Sequence, residues 1–211
     1  MQINVMERPT FYAKYGKRLL DLIIASILLP VFVTTILLIA FLLLIVSGRP
    51  VFFTQERTGL NNNNFQIWKF RTMKCDKAQQ GKVKSWKGGV PEQFVFKQSQ
   101  DLRMTGMGKL LRKLSLDELP QIINVLKGDM SLVGPRPEVP EITTFYNTEQ
   151  ARRLYVKPGI TGLAQINGRS NIPHGRKIFY DIDYVESCSF ALDLKILMRT
   201  IRVVLSREGA Y

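Results

Sequence analysis

Two adjacent carboxylates stand in the run Ser115-Leu116-Asp117-Glu118-Leu119-Pro120, with Arg112 and Lys113 just upstream. An ionised carboxylate can act as a nucleophile or ligate Mg²⁺. Arg112 and Arg136 supply forked donors that match phosphate oxygens. These residue types suit phosphoryl transfer, where catalysis is mostly positioning and electrostatics. A helix N-terminus and neighbouring arginines are expected to lower the pKa of such acids and keep them ionised. A local explanation also fits: Ser115 and Glu118 have capping-box spacing, and acids are favoured in a first helical turn. Alternatively Asp117 is itself the N-cap, with Pro120 in the first turn. The single histidine, His174, excludes a His-ligated metal cluster, and it reads as a loop histidine rather than a base. Cys75 and Cys188 offer neither a disulfide framework nor a zinc spacing, which fits a reducing compartment.

The charge around this pair is one-sided. The 211 residues carry 30 Lys+Arg against 17 Asp+Glu, a formal +13, yet 45 % are hydrophobic, too many for a disordered basic tail. From Lys69 to Ser115 there are twelve Lys/Arg and three acids. Such a field calls for an anionic partner: a nucleic acid, a membrane surface or a phosphorylated substrate. Trp68, Trp86 and Phe70 among lysines permit base stacking. A nucleic-acid binder would leave Asp117 and Glu118 without a purpose, so no nucleic-acid partner is expected. A non-catalytic membrane scaffold would leave them equally idle.

The elements that must position these residues begin with an apolar helix. Leu22–Val46 is uncharged over 25 positions, roughly 37 Å of helix against a bilayer core of about 30 Å. Pro30 lies inside it, and basic residues flank both ends: Arg8, Lys14, Lys17 and Arg18 before, Arg49 and Arg57 after. The positive-inside rule then gives no orientation, and the residues alone leave a spanning and a re-entrant helix both open. Val51–Thr54 and Phe65–Phe70 read as a hairpin around Gly59 and Asn61–Asn64. Lys74–Gln100 reads as a mobile polar loop. Gly108–Leu114 and Leu116–Leu126 are helical, and Gly/Pro-rich loops follow at 128–140, 158–162 and 168–175. Phe190–Leu205 is amphipathic, suited to a membrane surface, to docking on the membrane helix, or to the core.

Four ordered motifs then carry a resemblance: Lys69-Phe70-Arg71-Thr72-Met73; Ser115 to Gln121; Asn124 to Pro137, containing Gly134-Pro135-Arg136-Pro137; and Pro158 to Arg169, containing Pro158-Gly159-Ile160-Thr161-Gly162. With the apolar helix and Leu192-Asp193-Leu194-Lys195, the chain resembles the bacterial sugar transferases of the small monotopic type, polyprenyl-phosphate phosphoglycosyl transferases. The resemblance implies a mostly helical α+β fold in two parts. Residues 1–48 would hold the basic flank and a re-entrant helix kinked at Pro30. Residues 49–211 would form a catalytic domain on the cytoplasmic face of the bacterial inner membrane, with a small β-hairpin, catalytic helices and amphipathic interfacial helices. It implies transfer of a sugar phosphate from a UDP-sugar to undecaprenyl phosphate with Mg²⁺, amid membrane lipids. A homo-oligomer is compatible with this reading.

By the same resemblance Asp117 is the nucleophile and Glu118 its acidic partner, the two sharing metal or acid–base work. Arg112 holds the lipid phosphate and Arg136 the nucleotide. Lys69 and Arg71 are assigned to phosphate or headgroup contacts, and Gln165 and Arg169 to substrate. The chain departs from the common pattern at Leu163, at Ile172-Pro173-His174-Gly175, at Asp183 and in the length of the 74–100 loop. These positions lie outside the Asp-Glu core and bear on the sugar carried.

Overall fold

A computed structural model describes residues 11–74, 90–95, 103–168 and 171–206. After a π-helical turn at Tyr12–Gly16, helix α1 runs over Lys17–Ser47, continuous through Pro30, and is about 46 Å long at 1.5 Å per residue. One stripe of it faces the protein. Lys17, Asp21, Ala25, Ile39 and Leu43 are buried, with Ile24, Phe32, Ile36 and Ala40 packed beside them, at helical spacings of three and four. The other face, including Ile23, Ile27, Val31, Leu38, Phe41 and Ile45, is exposed. Burial is concentrated toward the two ends of the helix, and no residue from Ser26 to Leu38 is buried.

Strands β1 (Phe52–Thr58) and β2 (Asn64–Phe70) pair antiparallel, from Phe52 opposite Phe70 to Thr58 opposite Asn64. The turn takes positive φ at Asn61 and Asn62, a conformation whose cost asparagine lowers. Strand β1 is longer than the apolar run predicted, because Gln55–Thr58 join the ladder on pairing rather than propensity. Helix α2 (Gly106–Lys113) is capped by Thr105, whose hydroxyl accepts from the Gly108 amide. Only glycine fits at 108, since a Cβ there would stand 2.1 Å from the Thr72 carbonyl oxygen. A 3₁₀ helix over Leu116–Gln121 leads into α3, Ile122–Lys127.

The Gly/Pro-rich segments after α3 contain structure that periodicity did not show. Strand β3 (Ser131–Val133) pairs in parallel with β4 (Gly159–Thr161). A Cβ at Gly159 would come within 2.1 Å of the Gly134 amide, so the two backbones can meet only at glycine. Between them lie the short helices α4 (Pro140–Thr143) and α5 (Thr148–Ala151), and after β4 comes α6, Leu163–Ile166. Helix α7 (His174–Ser187) and helix α8 (Phe190–Ser206) complete the fold. The architecture is thus mostly helical α+β with a small β-hairpin, as expected, and a second, parallel two-stranded sheet that was not.

Two apolar clusters hold it together. The larger gathers Ala25, Ile67, Ile122, Val125, Met130, Val133, Ile166, Tyr184 and Ile196, and the smaller joins Ile39 and Leu43 of α1 to Phe70 and Leu111. Polar ties fix both ends of α1. At the start, Lys17 Nζ donates to Asp193 Oδ2 at 2.7 Å, and Asp21 Oδ1 accepts from Ser131 Oγ and the Leu132 amide. At the end, Arg71 donates to the carbonyls of Ser47, Gly48 and Arg49.

One expectation is corrected here. His174 is not a loop residue: it opens α7 fully buried, its ring 5.9 Å from that of Tyr146, and burial pushes its pKa down to about 4. Most of the 74–100 loop lies outside the described residues. Its described part is tied down, with the Phe94 and Glu92 carbonyls accepting from the His174 and Gly175 amides at 2.8 and 2.9 Å.

Candidate active site

Ser115 takes a left-handed conformation (φ 57°) between α2 and the 3₁₀ helix and makes no side-chain cap, so neither capping arrangement expected for the acidic pair forms. The turn instead sends Leu116 and Leu119 into the smaller core. Asp117 and Glu118 are left facing strand β2 and the loop after β3.

Glu118 is held on both sides. Lys69 Nζ of β2 donates to Oε1 at 2.7 Å, while Arg136 donates from Nη2 to Oε1 at 2.5 Å and from Nη1 to Oε2 at 3.1 Å. Burial alone would raise the Glu118 pKa. The charges of Arg136 and Lys69, with their hydrogen bonds, outweigh it and hold the carboxyl well below the usual range. Asp117 differs. It is buried, with 9 % of its surface exposed, and its carboxylate has no hydrogen-bond or ion-pair partner among the described residues. Burial first, and the Glu118 charge second, push its pKa up, against the pull of Lys69, Arg112 and Arg136. The expectation of two acids with lowered pKa is therefore corrected: the cations are spent on Glu118, and Asp117 is left raised. Two titratable groups pushed apart in this way are a mark of divided chemical roles.

Arg112 ends α2 and donates from Nε to Thr72 Oγ1 at 3.0 Å, which aims it at the pair from the side nearest the C-terminal end of α1. Arg71 is occupied elsewhere, closing the C-terminus of α1, so a phosphate would have to compete with three carbonyls for it. Gln165 sits in α6 with its amide nitrogen and oxygen buried and without partners, close to Gly162, and makes no hydrogen bond to the pair. Arg169 lies outside the described residues. Among the described residues no group of three or more His, Cys, Asp and Glu could hold a metal by itself. A Mg²⁺ site fits here only in the form that such ions favour, one or two carboxylates completed by substrate phosphates and water. Asp117 is the uncommitted carboxylate for it, since Glu118 already meets two cations.

The profile of the bacterial sugar transferase family matches residues 12–207. The chain belongs to this family. Among its relatives is the Bacillus subtilis (strain 168) sugar transferase EpsL, 47 % identical over 196 residues, which span 92 % of this chain and 89 % of EpsL. The UDP-glucose:undecaprenyl-phosphate glucose-1-phosphate transferase of Caulobacter vibrioides is 38 % identical over 211 residues, 96 % of this chain and 74 % of the relative. The UDP-N-acetylgalactosamine-undecaprenyl-phosphate N-acetylgalactosaminephosphotransferase of Aeromonas hydrophila is 40 % identical over 215 residues, 99 % of this chain and 48 % of the relative. Membership gives the acidic pair a setting, that of a sugar transferase.

Three supporting residues of this sugar transferase were not legible in the sequence. Asn124, fully buried, accepts from the Trp68 amide and donates to the Gln66 carbonyl, binding β2 to α3 and so fixing Lys69. Arg153, also buried, donates to the Arg136 carbonyl at 2.8 Å and pairs with Asp181 at 2.6 Å. Gln121 ends the 3₁₀ helix with its amide nitrogen buried and unpartnered. A polar residue amid apolar neighbours, as in Ile122-Ile123-Asn124-Val125, was the one available signal.

Proposed function

We propose that this protein transfers a sugar-1-phosphate from a UDP-sugar to undecaprenyl phosphate and releases UMP, the first membrane step in assembling a bacterial glycoconjugate. The observation that carries the reading is Asp117, a nearly buried carboxylate left unpartnered beside an acid whose charge two cations neutralise. A carboxylate free of hydrogen-bond and ion-pair partners is available as a nucleophile, and Glu118 keeps Lys69 and Arg136 next to it. In the proposed first step Asp117 attacks the β-phosphorus. The bond from that phosphorus to the oxygen bridging the two phosphates breaks, its electron pair leaves on UMP, and a phosphosugar remains on the aspartate. An oxygen of the lipid phosphate then attacks the same phosphorus, forming the lipid diphosphosugar and returning the Asp117 carboxylate. Arg112 and the Lys69–Arg136 pair flank the acids on either side, which supports lipid phosphate on the first and nucleotide on the second. Asp117, together with substrate phosphate oxygens, would hold Mg²⁺, whose positive charge would offset the repulsion between nucleophile and substrate.

The points at which α1 is tied support one membrane arrangement. Lys17 and Asp21 at its start and Arg71 against its end fix both ends to one domain, while its outer face is apolar. A rod crossing the bilayer from a domain on one side would be gripped at one end. Double anchoring supports a helix that enters and leaves on the same, cytoplasmic, face, bent at Pro30, which removes an interior hydrogen bond. Labelled UMP incubated with UDP-sugar and enzyme, without lipid acceptor, tests the chemistry. Exchange of label into the UDP-sugar is expected, along with an intact-mass adduct of one hexose phosphate that Asp117→Asn lacks. Transfer with neither exchange nor adduct would instead mean direct attack by the lipid phosphate in a ternary complex.

A further inference from the structure

Beside the acidic pair, on the side away from Arg112, is a small recess lined by Arg57, Ile67, Lys69, Gln121, Arg136 and Pro137. Two of its donors are orphans. Arg57 spends Nη1 on the Pro137 carbonyl at 3.3 Å and Nη2 on Gln55 Oε1 at 2.8 Å, leaving Nε buried and unpartnered. Gln121 is 2 % exposed, and its Nε2 is likewise buried without an acceptor. A buried donor left unpaired is costly. Two at one recess mark a place where something from outside supplies the acceptor.

The walls say what kind of acceptor. Three of the six lining residues are cationic and none is acidic, and the acid nearest them, Glu118, is already bound to two of those cations. The field favours an anionic oxygen, and phosphoryl oxygens accept several such donors at once. Position chooses between the two phosphates of the reaction. Arg57 stands five residues along β1 from Phe52, which packs against the end of α1, about 16 Å at 3.3 Å per residue. Arg112 lies on the other side of Lys69, tied to Thr72.

We propose that Arg57 Nε and Gln121 Nε2 form a subsite for the phosphate that stays with the nucleotide, gripping UMP by a phosphoryl oxygen as it departs. The subsite rests on the transferase reading above and adds no bond-making step to it. It predicts an unusual pairing of effects: Gln121→Met, similar in volume and without the donor, weakens ligand binding while removing an orphan that burdens the empty protein.

The test is calorimetric titration of the full chain in detergent with UMP, uridine and inorganic phosphate, alongside melting temperatures and steady-state kinetics. Gln121→Met is expected to weaken UMP at least fivefold, leave uridine binding and the KM for undecaprenyl phosphate unchanged, and raise Tm. Arg57→Lys keeps the charge but not the Nε donor, and should weaken UMP similarly should the first variant fold poorly. Unchanged UMP affinity in both variants, which a recess filled only by water predicts, would overturn the subsite. So would equal losses for UMP and uridine, or a loss confined to the lipid phosphate. A wild-type protein that releases no UMP from any UDP-sugar would sink the transferase reading separately, since UMP titration does not require turnover.

Discussion

Asp117 and Glu118 are neighbours in the chain and opposites in environment, and the pH dependence of the reaction should record it. Asp117 must be ionised to attack. Its pKa lies above the ordinary value, through burial and then through the Glu118 charge, so the rate should fall as pH drops through that raised pKa, on an acid limb above the usual aspartate range. Glu118→Gln removes the negative neighbour and frees Lys69 and Arg136 to act on Asp117. The acid limb should therefore move to lower pH even as the maximal rate falls. UMP release measured across pH in both proteins checks the sign, and a limb that stays put or moves upward contradicts this division of roles. Asp117→Asn should abolish transfer, with the fold intact by thermal melting, because the replacement is nearly isosteric and the carboxylate makes no hydrogen bond or ion pair among the described residues.

At the scale of elements, the site depends on how three segments are pinned to one another. Asn124 is a side chain used as backbone: it completes hydrogen bonds that an edge strand would otherwise leave open, and so sets the height of Lys69 relative to Glu118. Asn124→Ala would leave the partly buried Trp68 amide and the Gln66 carbonyl without their partner, at no more than about 1–3 kcal/mol each. Tm should drop, and activity should fall further than the unfolded fraction explains. Asp193 plays the same part for the helices, accepting from Lys17, Tyr12 and Tyr184. Cutting it to Asn leaves a buried lysine uncompensated, at about 3–5 kcal/mol, measurable by chemical unfolding in detergent. Helix α8 explains why its sequence was ambiguous: one side is packed in the core and the other is apolar and exposed. Asp193 and Ile196 point into the protein, while Phe190, Leu194, Met198, Ile201 and Leu205 form an exposed apolar row on the other side.

For the molecule as a whole, the decisive question is whether one domain can hold both ends of an apolar helix. Lys14 and Arg49, exposed just beyond the two ends of α1, report on it. Cysteines placed at both positions, with Cys75 replaced and Cys188 buried, should react with an impermeant maleimide from the same side of sealed, oriented vesicles. Labelling from opposite sides would rule out the re-entrant arrangement. The proposed arrangement would leave the exposed apolar rows of α1 and α8 for lipid to cover, and the charge surplus would draw the protein to anionic headgroups.

The apolar helix, the hairpin with its asparagine turn, the basic field and the acidic pair were all legible in the sequence, because each rests on local composition or periodicity. Asp117 and Glu118 could be named from their neighbours. Their division of labour could not, since a pKa is set by burial and by charges that arrive from β2 and from the loop after β3, 49 and 18 residues away from Glu118. The parallel pairing of β3 with β4 was hidden for a related reason: strands of three residues carry no period, and their partners are chosen by glycines that let two backbones touch. Tertiary structure alone decided which carboxylate is paired and which stands free, because that depends on distances between segments that the order of residues does not contain.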